Sequence, residues 1–204
     1  MKTALSTLVL LITFSFSHAQ DGGDVEFGFS GGLNLTNVST ISDQTAAKSH
    51  LGFNGGFYAD YFFSERWSLR GRAYYNQNGW DDGFYVDKGG TLYVVNYSLH
   101  YVTISATPNW HFGGKRKNFY LNLGPYLGVL VGANAGSTQV KDNFNATDIG
   151  LESSLGVQFP LTQKGSSKLF VELAGQAGFT DIFKDNEGDA VRNRKNSLNI
   201  GITF

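Results

Sequence analysis

No cysteine occurs anywhere in the 204 residues. The chain therefore has neither a disulfide framework nor a thiol to carry a lipid anchor. Proline is scarce too, at 3 residues beside 26 glycines, which excludes Pro-rich disorder and a collagen-like chain. Charge is sparse: 16% of residues are Asp, Glu, Lys or Arg, against the ~25% usual in soluble globular domains. The formal net charge of −1 gives no reason to expect a nucleic acid partner. Beyond the first twenty residues no run of about 18 apolar residues exists, so no membrane-spanning helix is expected. What is abundant is aromatic, 15% of the chain. Few charges with many rings and glycines suit a β-protein with an apolar environment on one side.

The opening "MKTALSTLVLLITFSFSHAQ" places Lys2 before an apolar run from Leu5 to Phe14, then Ser17-His18-Ala19 as a small-x-small site. This is the pattern of a cleaved secretory signal peptide, residues 1–19, with residues 20–204 as the mature domain. Its removal deletes one Lys and no acid, taking the net charge from −1 to −2. An exported chain without a spanning helix can cross a membrane only as strands.

Eight segments of the mature chain alternate strictly. One parity reads Val25, Phe27, Phe29, Leu33, Leu35 in the first, Leu121, Leu123, Pro125, Leu127, Val129, Val131 in the fifth, and Leu198, Ile200, Ile202, Phe204 in the last. The opposite parity carries Asn34, Asn54, Asp60, Arg70, Arg72, Asn109, Glu152, Glu172 and many glycines. Period-2 alternation on this scale predicts eight half-buried strands. Periodicity alone fits either a soluble barrel with its apolar row inside or a membrane barrel with that row outside.

The polar parity is too rich in glycine and too poor in charge for a soluble surface. Connections also alternate in length: 64–66, 113–118 and 160–167 are short, while 37–49, 80–98, 134–147 and 182–195 are long, the outer-membrane arrangement. About ten residues at ~3.3 Å, tilted ~45°, rise roughly 23 Å, close to the ~25 Å apolar band. An even strand number lets the sheet close and removes its edges. The predicted fold is all-β, an eight-stranded antiparallel up-and-down transmembrane barrel with periplasmic termini. Trp67, Trp110, Phe62, Phe63 and Phe112 are expected in an aromatic girdle on the short-turn side, and Trp80 with Tyr75 in the opposite one. Pro108 and Pro125 fall inside strands and predict a bulge or local irregularity. "GFYVDKGGTLYVVNYS" reads as the third and fourth strands continuing outside the membrane, turning at Asp87-Lys88-Gly89-Gly90.

Phe204 falls on the lipid-facing row of a strand that must pair with the first one. A terminal strand of this kind, ending on an aromatic, resembles the signal read by the barrel-insertion machinery. In "FGFSGGLNLTN", "LHYVTI", "LNLGPYLGVLV" and "NSLNIGITF", in that order and spacing, the chain resembles the PorT-like outer-membrane barrels of Bacteroidetes. The family tends to have Pro where this chain has Ser105, Glu where it has Arg72, and Arg near Ala174. The resemblance implies an eight-stranded barrel and, for a few members, a link to the type IX secretion apparatus.

Asp60, Arg70, Arg72, Glu152 and Glu172 all point inward at comparable heights. An eight-stranded lumen is just wide enough for side chains to fill, so these groups should pair across it and plug it. A gate or proton path is the alternative use of the same groups. Ser98 and His100 share the outward parity near the outer end of the fourth segment, as a lipid-A-trimming esterase on a barrel would show. The outward neighbours Tyr75, Gln77, Val131 and Ala133 offer no acid to orient a base. His50 and His111 are expected inward, without zinc spacing. "WDDGFYVD" and "KDNEGDAVRNRK" are acidic but lack the ligand spacing of a calcium loop. No cofactor or metal is expected, and the chain is expected not to be an enzyme. Its expected role is a filled scaffold presenting loops in the envelope. The expected partners are outer-membrane lipids, lipopolysaccharide, the insertion machinery and envelope or secretion-complex proteins. The competing roles are an outer-leaflet lipid hydrolase at Ser98 and His100 and a narrow conduit for protons or small solutes.

Overall fold

A computed structural model describes residues 23–39, 47–87, 89–113, 118–161 and 167–204. The proposed signal peptide lies outside the described residues. The strands are β1 (Val25–Val38), β2 (Lys48–Ser64), β3 (Trp67–Val86), β4 (Leu92–Phe112), β5 (Phe119–Ala135), the two-residue β6 (Thr138–Gln139), β7 (Thr147–Pro160), β8 (Lys168–Gly178) and β9 (Asn193–Thr203). All but β6 pair antiparallel around a ring, β1-β2-β3-β4-β5-β7-β8-β9, and β9 returns to β1. An eight-stranded barrel results, with β6 only a spur on β5. Phe204 sits where the sheet closes: its N–H donates to the Phe27 carbonyl at 2.7 Å, and its ring lies 6.0 Å from that of Phe29.

The barrel is apolar outside and polar inside. Leu33, Phe57 and Leu123 expose 60%, 73% and 57% of their surface, whereas Asn34, Asp60 and Glu172 expose none. Such an outer wall is stable only against acyl chains, because lipid solvates the side chains and the closed ladder leaves no open sheet edge. Trp67 and Trp110 pair at 6.5 Å on the short-turn side, and Phe112 stacks on Phe119, as expected of a girdle. Phe62 instead turns toward the lumen mouth and meets the His111 ring at a tilt, 4.9 Å between centroids.

Inward glycines make room for inward rings. Gly28 lies opposite Tyr58, Gly150 opposite Tyr126, Gly156 opposite Tyr120 and Gly201 opposite Phe170. In each pair a Cβ on the glycine would run into the facing ring. Each glycine thus trades strand propensity for a cross-strand aromatic lid, a pairing that also pins register.

The third and fourth strands do continue outward. Twenty residues of β3 at ~3.3 Å, tilted ~40°, rise roughly 50 Å, twice the apolar band. The turn closes through Gly90 N–H to the Asp87 carbonyl and Asp87 N–H to the Thr91 carbonyl, both 3.0 Å. The prolines produce a local irregularity rather than a bulge, the second of the two outcomes expected of them. Register across β4 and β5 is the same on both sides of them, Ser105↔Tyr126 and Asn109↔Asn122, with no bulge between. The intervening ladder is interrupted instead, since both prolines lack a donor and they stand on one seam.

Candidate functional site: the lumen, its cap and the outer rim

Side chains of β2, β3, β7, β8 and β9 meet at mid-height. Arg70 grips Asp60 with two bonds, Nε at 2.9 Å and Nη2 at 2.7 Å, and its Nη1 reaches Glu172 at 3.3 Å. Arg72 completes the chain with bonds of 3.0 and 3.1 Å to Glu172. Glu172 also accepts from Tyr120 at 2.8 Å, Ser154 at 2.9 Å and Asn199 at 3.0 Å. The Arg70 guanidinium is sandwiched 4.4 Å from the Tyr58 ring and 4.7 Å from that of Tyr120. Charge-assisted bonds and ring faces together replace most of the water these ions have lost, with Arg72 Nε left without a bond.

Four of the five predicted lumen charges form this one network; Glu152 is held otherwise. It accepts from Ser105 at 2.6 Å, Tyr74 at 2.7 Å and Gln176 at 3.0 Å, so hydroxyls and an amide stand where a guanidinium was expected. The reason is the lateral reach of Arg72, which is committed to Glu172. A cation missed in the sequence lies above it. Lys195 donates to Asn76 at 3.1 Å and sits 5.1 Å from the Tyr74 ring. It reads as a loop residue, yet β9 begins at Asn193. The space left between these groups is about 10 Å³ and polar, room for one water.

Above the plug, the extracellular mouth is sealed by a dry cluster. Trp80 stacks on Tyr97 at 4.4 Å and meets Phe144 and Phe183 edge-on at 6.2 and 5.9 Å. Leu99, Leu130, Val140, Ile182 and Val191 complete it. Trp80 therefore belongs to the cap and not to the outer girdle. It shares the inward parity of Arg70, Tyr74 and Asn78, and it is 1% exposed. Phe144 bridges to Phe183, and Asn145 Nδ2 donates to the carbonyls of Asp181 and Phe183 at 2.9 Å each, so the two loops over the mouth are tied together. Asp181 spends its carboxylate on turn building: it accepts from the Phe183 and Val191 N–H groups and from Asn186.

The outer rim departs most from the sequence reading. Ser98 and His100 lie two residues apart on one strand face, about 6.8 Å, and do not bond to each other. His100 contacts Tyr75 Oη at 2.5 Å and Asn134 Nδ2 at 3.4 Å. Ser98 is met by His50 instead, Oγ to Nε2 at 3.4 Å, and His50 Nδ1 lies 2.7 Å from Asp81 Oδ1. His50 is thus at the outer rim, not in the lumen, because the β2–β3 register shifts between Ser49 and Asn54. Ala133 is fully buried for a similar reason: a shift at His100/Tyr101 inverts the parity of β5 above Val131. His111 is inward as expected, 3.0 Å from Ser68 Oγ.

The model of the outer membrane protein β-barrel domain matches residues 16–184. The chain belongs to that family. By fold it is similar to Neisserial surface protein A, with 19% identity, a TM-score of 0.51, and coverage of 87% of this chain and 97% of that one. It is likewise similar to OprG from Pseudomonas aeruginosa, at 13% identity and a TM-score of 0.50, covering 92% and 99%. Ail of Yersinia pestis aligns at 17% identity and a TM-score of 0.46, covering 91% and 100%. No curated protein matches the chain by sequence.

Proposed function

We propose that this outer-membrane barrel is a filled scaffold of the PorT-like type, which presents extracellular elements to the envelope or to a secretion assembly. One observation carries the reading. The lumen is occupied through its height by the Asp60–Arg70–Glu172–Arg72 network and the Trp80 cap, while β3 and β4 run on into a hairpin whose Phe84, Val86, Leu92, Tyr93 and Val94 are exposed. The working surface is then outside, since a bore this closed carries no solute. The order of the four sequence motifs supports the Bacteroidetes assignment. Lipopolysaccharide and outer-leaflet lipid are the constant neighbours of the wall, and Phe204 is the proposed contact of the insertion machinery.

The test replaces residues 84–94 by a two-residue turn in the native host. The shortened barrel should still assemble and show heat-modifiable migration, while its crosslinks to neighbouring envelope proteins disappear. Crosslinks that persist unchanged from the membrane-facing wall would refute hairpin presentation. Planar-bilayer conductance in the wild-type barrel would favour the conduit reading instead.

A further inference from the structure

We propose that Ser98, His50 and Asp81 form a nucleophile–base–carboxylate relay on the outside of the barrel, directed at an acyl ester of the outer-leaflet lipid. Three strands supply it. Ser98 stands on the outward row of β4, opposite Gly79 of β3 on one side and Asn134 of β5 on the other. His50 comes from β2 and must cross β3 to arrive. It can do so because Gly79 leaves the gap open: a Cβ there would lie 3.0 Å from His50 Cδ2.

Proton direction follows from the contacts. With His50 Nδ1–H donating to Asp81 Oδ1 at 2.7 Å, Nε2 is left as the acceptor that faces the Ser98 hydroxyl at 3.4 Å. Bonds of this kind are often loose without substrate. The carboxylate is aimed by a distortion of β3. The β3–β4 register shifts between Trp80 and Gly83, and Asp82 takes a φ of 57°. Asp82 is then held by Lys48 at 2.6 Å, which leaves Asp81 to His50.

The surroundings name the substrate class. Leu51, Phe53, Val102 and Val131 form the exposed wall on the membrane side of the relay, and Lys48 with Asp82 lies on the other. An ester at that height belongs to a lipid whose tails lie along the wall. In the first step Ser98 Oγ bonds to the ester carbonyl carbon as its proton passes to His50 Nε2. The ester C–O bond then breaks, and His50 returns the proton to the departing alcohol oxygen. Water attacks the acyl-serine, gives its proton through His50 to Ser98, and leaves a free fatty acid. The relay is independent of hairpin presentation, so its failure would leave that reading intact.

The experiment places the full barrel in vesicles of lipopolysaccharide and phosphatidylethanolamine and follows free fatty acid by mass spectrometry. A parallel sample is treated with an alkyl fluorophosphonate and its adduct mapped. Release should fall at least ~100-fold in Ser98→Ala, His50→Asn and Asp81→Asn, and the adduct should map to Ser98. His100→Asn should stay within about twofold of wild type. A folded barrel that yields neither fatty acid nor adduct overturns the proposal. So does wild-type release by Ser98→Ala, or a loss in His100→Asn equal to that in His50→Asn.

Discussion

Removing the Glu172 carboxylate should be among the most damaging single changes in the barrel. Glu172→Ala leaves Arg70 with Asp60 but takes from Arg72 both of its bonds, at 3.0 and 3.1 Å. Tyr120, Ser154 and Asn199 lose an acceptor in the same stroke. Stranding one partner of a buried pair costs about 3–5 kcal/mol. Each neutral donor left buried and unpaired adds about 1–3 kcal/mol, less where it can turn to another partner. A loss of at least about 4 kcal/mol is the working figure. Urea unfolding of the barrel in phospholipid vesicles, followed by the fluorescence of the lipid-facing Trp67 and Trp110, measures it. The double variant Arg72→Met, Glu172→Leu should regain the part of the loss that comes from the stranded Arg72 charge, because it removes both charges together. A Glu172→Ala cost under about 1 kcal/mol would refute the reasoning, and so would a double variant whose cost equals the sum of the two single changes.

Three further outcomes follow from the same geometry. Leu198→Arg, half-way along β9 on the lipid side, should destabilise the barrel by about 2–4 kcal/mol in vesicle refolding titrations. Gly156→Ala should cost about 1–3 kcal/mol by crowding the Tyr120 ring, and in a double-mutant cycle the cost should shrink once Tyr120 is shortened to Leu. Trp80→Ala should lose about 3–5 kcal/mol from the cap yet remain silent in planar bilayers, since the ionic plug below it is untouched.

The wall was legible in the sequence because its two rows differ so sharply. Leu121, Leu123, Leu127 and Val129 need lipid and Asn122 and Glu152 need partners, so a one-residue slip would misplace every one of them. The pairing of Asp60, Arg70, Arg72 and Glu172 followed from the same parity and from the narrowness of an eight-stranded bore. The cap was not legible. Val140, Phe144, Ile182 and Phe183 lie in connections with no period, and their burial depends on two long loops meeting over the mouth. Trp80 is legible by parity, since counting by twos from Arg70 through Tyr74 and Asn78 leads to it, while its residue type alone points to a girdle. The purpose of the inward glycines could not be read without register, because Gly156 and Tyr120 are neighbours only once β5 and β7 are aligned.

No parity count brings a histidine to Ser98. In a regular barrel wall, residues of one face stand about 6.8 Å apart along a strand and about 4.8 Å apart between strands. A serine on β4 and a histidine on β2 are then two strand spacings apart, too far to touch by any parity rule. Here three register shifts fall at the same end of neighbouring seams, at Ser49/Asn54, Trp80/Gly83 and His100/Tyr101. Each shift spoils ladder bonds and would be a net loss in a wall whose only task is to span lipid. Bulges gathered at a rim re-aim side chains, and these bring His50, Asp81 and Ser98 into a line while Gly79 clears the path. The irregularity that defeats sequence periodicity is therefore itself the pointer to where chemistry can be placed on an otherwise repetitive surface.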